Sequence, residues 1–188
     1  FYSPDKGHIY VDGAELQNFE VQEIRKAVVY VSQEDFLFTA SVRENLKMGN
    51  EEISDEEMIE ISRKMGVHQF VSKMEREYDS VLEERGKNLS KGQRQKLSLT
   101  RAILRHPKIL ILDEATSNMD SISEREILNY IKGIRDITLI LISHRINVIA
   151  DSDCIYVLQK GNIVARGTDE QLKEQCELYR QLYGEEEK

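Results

Sequence analysis

Residues 108–120, Lys-Ile-Leu-Ile-Leu-Asp-Glu-Ala-Thr-Ser-Asn-Met-Asp, constrain the fold of this chain most. The run Ile-Leu-Ile-Leu at 109–112 is apolar without alternation. Such a run reads as a short strand covered on both faces, the pattern of a parallel sheet. Asp113 and Glu114 follow where that strand must end. In open α/β sheets the ligand site lies at the carboxyl ends of the strands. One acid there can hold a magnesium ion, and a second can orient or deprotonate a water. Alone, the segment is equally a strand closed by an acidic turn.

The flanking segments repeat this organisation. Before it, residues 88–96 read Asn-Leu-Ser-Lys-Gly-Gln-Arg-Gln-Lys. Ser90 is placed as a helix N-cap, with Gln93 at the capping-box position three residues on. The helix is expected to run to about Leu104, with Leu99, Ala102 and Ile103 on one face, and Pro107 to end it. A helix start with free N–H groups, beside a glycine that allows close approach, suits a phosphate; an ordinary capped helix has the same pattern. After the acidic strand, residues 137–142 form a second apolar run, followed by Ser143-His144-Arg145. A histidine at a strand end is, taken alone, more often structural than catalytic.

Taken together, these motifs resemble the nucleotide-binding domain of ABC transporters, of the exporter type. Leu89-Ser90-Lys91-Gly92-Gln93 is similar to the signature motif, and residues 109–114 resemble Walker B with its catalytic glutamate. Residues 117–120 resemble the D-loop, His144 the switch histidine, and Gln33, after the apolar run 28–31, the glutamine of the Q-loop. Glu84-Arg85-Gly86 and the passage 41–46 resemble exporter-type sequences in particular. Order and spacing match across nearly the whole chain. Lys91 departs from the family's usual glycine.

The resemblance implies a P-loop NTPase-like α/β fold, a mostly parallel sheet flanked by helices, with an inserted helical subdomain at about 40–104. It implies ATP and Mg2+ as ligands, and hydrolysis in a head-to-tail dimer of such domains. Asp113 would hold magnesium through water, and Gln33 would sense the metal and the water. Glu114 would act as base or position the attacking water, and His144 would contact the terminal phosphate. Ser90, Lys91, Gly92 and Gln93 would face nucleotide on the other subunit, with Asp120 at the interface. The implied partners are transmembrane domains and a second nucleotide-binding domain, at the cytoplasmic face of a membrane. The apolar tip of the loop 34–38 is either a docking surface or inward packing.

Length and composition agree with this. The 188 residues suffice for one domain with a real core. A net charge of −8 argues against nucleic acid as a partner, since such proteins usually carry a basic face. Cys154 and Cys176 lack metal-ligand or paired spacing and are expected to be reduced. No apolar run reaches the length of a membrane span. No Gly-x-x-x-x-Gly-Lys-Ser/Thr occurs anywhere in the chain. The expectation is therefore a piece of a longer ATPase, inactive by itself. Two other readings stay open. A non-catalytic regulatory or docking module would account for the missing phosphate loop. A soluble ABC ATPase of chromosome maintenance would need a long coiled coil between Gln33 and Ser90, where no heptad run occurs.

Further along, the patterns predict a strand at 8–11, helices at 21–26, 41–48, 55–65, 67–74, 121–134 and 146–150, and an extended piece at 78–81. They also predict a hairpin of 154–158 with 163–165 and two closing helices, the first capped by Thr168. The last residues, from Gly184, are expected to fray.

Overall fold

In a computed structural model, residues 4–33 and 36–186 are described, with side chains up to residue 182. The apolar runs become a parallel sheet, as their lack of alternation demands. β3 (Val28–Val31) pairs in parallel with β4 (Ile109–Asp113), and β4 pairs in parallel with β5 (Thr138–Ile142). Leu110 sits opposite Val29 on one side and Leu139 on the other, so β4 is the middle strand. Two small antiparallel pairs complete the strands: β1 (Tyr10–Val11) with β2 (Ala14–Glu15), and β6 (Ile155–Gln159) with β7 (Asn162–Gly167).

The helices α1 (Val21–Ala27), α2 (Val42–Lys47), α3 (Asp55–Lys64), α4 (His68–Val71) and α5 (Lys91–Leu104) precede β4. The helices α6 (Ser121–Lys132), α7 (Ile146–Ile149), α8 (Asp169–Gln175) and α9 (Glu177–Glu186) follow it. Capping chemistry fixes most starts. Ser41, Ser54, Ser90, Asp120 and Thr168 each accept a backbone N–H from the first turn of their helix. The main core joins Val29, Val31, Leu110 and Leu112 of the sheet to Leu97, Leu99 and Leu104 of α5 and Ile127 and Ile131 of α6. A second cluster gathers Ile146, Ile155, Val157, Leu172, Cys176 and Tyr179 around the C-terminal hairpin. Both cysteines are free.

Four elements differ from the sequence expectation. The helix predicted at 67–74 is α4 for only four residues, after which i→i+3 bonds such as Lys73 N–H to the Phe70 carbonyl wind a tighter turn. The extended piece predicted at 78–81 begins as a 3₁₀ turn, Glu77–Asp79. Burial of Tyr78, whose hydroxyl lies 3.0 Å from His68 Nδ1, holds that turn, and only Val81 bridges to Ser41. The first strand pairs over Tyr10–Val11 alone, because its partner ends at Glu15, where the 3₁₀ turn Leu16–Asn18 begins and leaves Ile9 one bond, from the Leu16 N–H. The helix α9 passes Gly184, where fraying is expected, and ends at Glu186.

Candidate active site

All three strands of the parallel sheet end on the same side, and the candidate residues collect there. β4 closes with Asp113, and the Glu114 N–H donates to the Ile142 carbonyl at 2.9 Å, extending the ladder by one bond. Glu114 then turns left-handed, at φ +52°. A residue with a Cβ pays about 1–2 kcal/mol for that backbone, so the surroundings must hold it. The turn that follows does so. Ser117 N–H donates to the Glu114 carbonyl, and Met119 N–H to that of Thr116.

The twist sends the Glu114 carboxylate to the end of β5. Its Oε1 accepts the backbone N–H of His144 at 3.0 Å and lies 2.7 Å from His144 Nδ1. Against an ionised acceptor Nδ1 carries the proton, which leaves Nε2 available to a third group. The His144 side chain is 73% exposed and Glu114 is half-buried, so the pair faces open space with a defined geometry.

Asp113 is held by a partner that sequence reading did not single out. Tyr30, on β3, donates its hydroxyl to Asp113 Oδ2 at 2.7 Å. This bond to a carboxylate pushes the Tyr30 phenol above its ordinary pKa of 10.0. One Asp113 oxygen is thereby used and oriented, and the other is left for a ligand. Among the described residues no group of three or more His, Cys, Asp and Glu converges on a metal position. One oriented carboxylate, with the exposed Gln33 two residues beyond the neighbouring strand β3, still fits magnesium, which keeps several waters and takes few protein ligands.

Gln33 stands two residues beyond β3, on the wall of a cleft of about 810 Å³ shared with Arg85, Lys87, Lys91, Arg94 and Asn118. Phe36, also on that wall, is exposed and meets Phe38 edge-on at 4.8 Å, while Leu37 between them is buried. The loop therefore presents aromatic surface outward at these positions; Glu34 and Asp35 lie outside the described residues.

Signature residues form a second surface. The Ser90 hydroxyl accepts the Gln93 N–H at 3.2 Å, and Gln93 Oε1 accepts the Ser90 N–H at 2.9 Å, the reciprocal box expected from the sequence. Ser90, Lys91, Gly92 and Gln93 line a cleft of about 520 Å³ together with Asn118, Met119 and Asp120. Gly92 has a reason within the chain to be glycine: a Cβ there would stand 3.1 Å from the Asn118 carbonyl oxygen. Asn118 N–H in turn donates to Oε1 of the fully buried Gln95 at 3.0 Å. Lys96 Nζ reaches Ser123 Oγ at 2.9 Å. Asp120 caps α6 through the Ser123 N–H at 2.9 Å, and that bond pulls its carboxyl below the usual 3.8.

The structure thus brings Asp113, Glu114 and His144 into one group. It places Ser90, Lys91, Gly92, Gln93 and Asp120 along a second cleft, and Lys91 and Asn118 also border the Gln33 cleft. Tyr30, Gln95 and Lys96 are contributors that local pattern does not reveal, since their partners lie far along the chain.

A central parallel sheet, an acidic pair at its C-terminal edge and a capped helix beside the following loop define an α/β domain of the P-loop nucleoside triphosphatase type. A sequence model of the ABC transporter family matches residues 1–117, more than half of the chain. The heterocyst differentiation ATP-binding protein HepA of Nostoc sp. is 43% identical over 93% of this chain and 29% of its own length. The mitochondrial iron-sulfur clusters transporter ABCB7 of Oryzias latipes is 39% identical over 92% of this chain and 23% of its own. The solved structure of a bacterial Atm1-family ABC exporter with ATP bound superposes with a TM-score of 0.93 at 30% identity, covering 98% of this chain and 33% of that one. The chain belongs to the ABC transporter family, and the part of it that these 188 residues represent is the exporter-type nucleotide-binding domain. It spans less than a third of the length of these curated relatives.

Proposed function

We propose that this domain hydrolyses ATP to drive a membrane exporter, with Glu114 and His144 as its reacting pair. The observation that carries the reading is their contact at 2.7 Å, at the ends of neighbouring parallel strands and beside an oriented Asp113. Glu114 offers the carboxylate that takes or orients a proton of the attacking water. His144 keeps Nδ1 on Glu114 and turns Nε2 to the terminal phosphate, where charge develops. Asp113 and Gln33 are the residues that would hold magnesium, which when bound offsets phosphate charge.

The signature cleft is separate from this group, which supports a dimer in which Ser90, Lys91, Gly92 and Gln93 meet nucleotide held by a second domain. Asp120, on the same cleft, stands at that interface. The exposed Phe36 and Phe38 and the cleft beside Arg85 suit contact with transmembrane domains at the cytoplasmic face. Residues 40–104 act as the helical subdomain. Among the described residues no helix is long and apolar enough to cross a membrane, so the membrane part is assigned to other segments of the assembly.

The test is ATP turnover by the complete protein and its Glu114→Gln variant. The substitution keeps size and removes charge and basicity. Hydrolysis should fall by about a hundred- to ten-thousand-fold, the usual worth of a general base, with ATP binding retained. Turnover near the wild-type rate would refute the role given to Glu114.

A further inference from the structure

The loop that carries His144 is anchored at a point the phosphate chemistry does not use. Arg145 follows His144 directly in extended backbone and stands at the N-cap position of α7, without a side-chain capping bond. Its guanidinium pairs with the carboxylate of Glu124, four residues beyond Asp120 on α6. The Glu124 side chain is 5% exposed and that of Arg145 25%. Nε of Arg145 is buried without a hydrogen-bond partner among the described residues. Charges are seldom taken this far from water unless each has the other. His144 is unlike them: its ring is mostly exposed, and the polar contacts of its ring and its N–H are with Glu114.

The backbone at 144–145 is thus located from two sides, by Glu114 and by a buried ion pair. The carrier of Glu124 is itself fixed. Residue 123 receives Lys96, the N-cap Asp120 holds the first turn, and Gln95 grips the loop before it. A side chain on such a braced element can hold another group to within a fraction of an ångström.

We infer that Glu124 is a positioning residue for hydrolysis: by fixing Arg145 it sets where His144 stands relative to Glu114. This rests on the ATPase reading above. Glu124 touches neither nucleotide nor water in this scheme, and its effect passes through His144 alone. A carboxylate needed only for stability would act on the folded fraction and on every variant background alike.

The experiment uses the complete protein, with kcat, KM for ATP and the thermal midpoint measured for Glu124→Gln, Glu124→Asp, His144→Ala and the double variant Glu124→Gln/His144→Ala. Misplacing a reacting group by about 1 Å costs on the order of a hundredfold, so Glu124→Gln should lower kcat by roughly ten- to a hundredfold with KM unchanged, below its melting range. Glu124→Asp, which keeps the charge, should recover part of the loss. In the His144→Ala background Glu124→Gln should bring no further loss, because two changes along one route are not additive. If the neutral variant does not fold, Arg145→Lys carries the same comparison, with both charges kept and the fork geometry lost. Multiplying losses in the double variant would overturn the inference, as would wild-type kcat in Glu124→Gln and, where that one does not fold, in Arg145→Lys. Absence of ATP hydrolysis by the wild-type protein would overturn the ATPase reading itself, and the inference with it.

Discussion

At the scale of single residues, the site is a set of carboxylates whose freedom has been removed. Tyr30 shows how. Its hydroxyl occupies Asp113 Oδ2 and leaves one oxygen to face a ligand. Under the proposed reading, Tyr30→Phe should raise the half-saturating Mg2+ concentration for hydrolysis by up to about tenfold, the lower end of what lost outer partners of metal ligands cost. Nucleotide binding without metal should not change, and an unaltered Mg2+ dependence would remove Tyr30 from the site. Asp120 offers a test by pH. Its carboxyl is pulled below 3.8 chiefly by the Ser123 N–H. A carboxyl whose pKa falls on folding stabilises above its unfolded value and loses that contribution as pH drops through the folded one. The stability gap between wild type and Asp120→Ser, which keeps an oxygen cap without charge, should therefore be full near neutrality and narrow below about pH 4. Denaturant midpoints across that range measure it; a gap that stays constant would mean the ionised form is not what caps α6.

Elements carry the next level, and most of them could be read before any coordinates. The apolar runs at 109–112 and 137–142 called for neighbouring parallel strands, and the ladder between β4 and β5 follows, although among the described residues one face of β5 stays exposed at Ile140 and Ile142. The capping box at Ser90 and Gln93 was legible because its partners are three residues apart. Tyr30 was not, since 83 residues separate it from Asp113 and its place in β3 reads as ordinary strand. Glu124 was no more legible, since its partner Arg145 lies 21 residues further on, just before α7. The brevity of α4 was hidden for another reason: i→i+3 turns keep the same apolar spacing over a single turn as an α-helix. Glycine 92 was read for its closeness to phosphate, whereas the neighbour that the structure gives it is the Asn118 carbonyl. Gly92→Ala should accordingly miss the gain of about 0.5–1 kcal/mol that alanine brings to a helix interior, because Asn118 is pinned by Gln95 and has little room to yield. Ser90→Ala should cost about 0.5–2 kcal/mol through the lost cap. Denaturant unfolding of the two variants separates these effects: a stabilised Gly92→Ala protein would mean that the loop at Asn118 moves aside freely.

For the molecule as a whole, the decisive feature is apolar strand surface that the described residues leave open. Ile140 and Ile142 on β5, Tyr156 and Leu158 on β6, and Ile163 and Val164 on β7 are all exposed. Among the described residues β5 pairs only with β4, and the β6–β7 pair joins no other strand. Strands that are apolar on both faces belong to sheets covered on both sides. The 188 residues also hold no Gly-x-x-x-x-Gly-Lys-Ser/Thr, the loop whose backbone N–H groups and lysine cradle phosphates in this superfamily. Under the proposed reading Asp113, Glu114 and His144 address metal, water and terminal phosphate, but without that cradle the acidic pair meets a polyanion with little to offset the repulsion. These 188 residues by themselves should therefore bind Mg-ATP weakly, and the uncovered strands should favour self-association. A longer chain that carries the phosphate loop upstream should bind in the micromolar range, about −8 kcal/mol, and should remain monodisperse without nucleotide. Calorimetric titration of both chains, with light scattering on the same samples, makes the comparison. Micromolar binding by the 188 residues alone would refute the idea, because it would mean that the acidic pair and the strand ends hold nucleotide without a cradle.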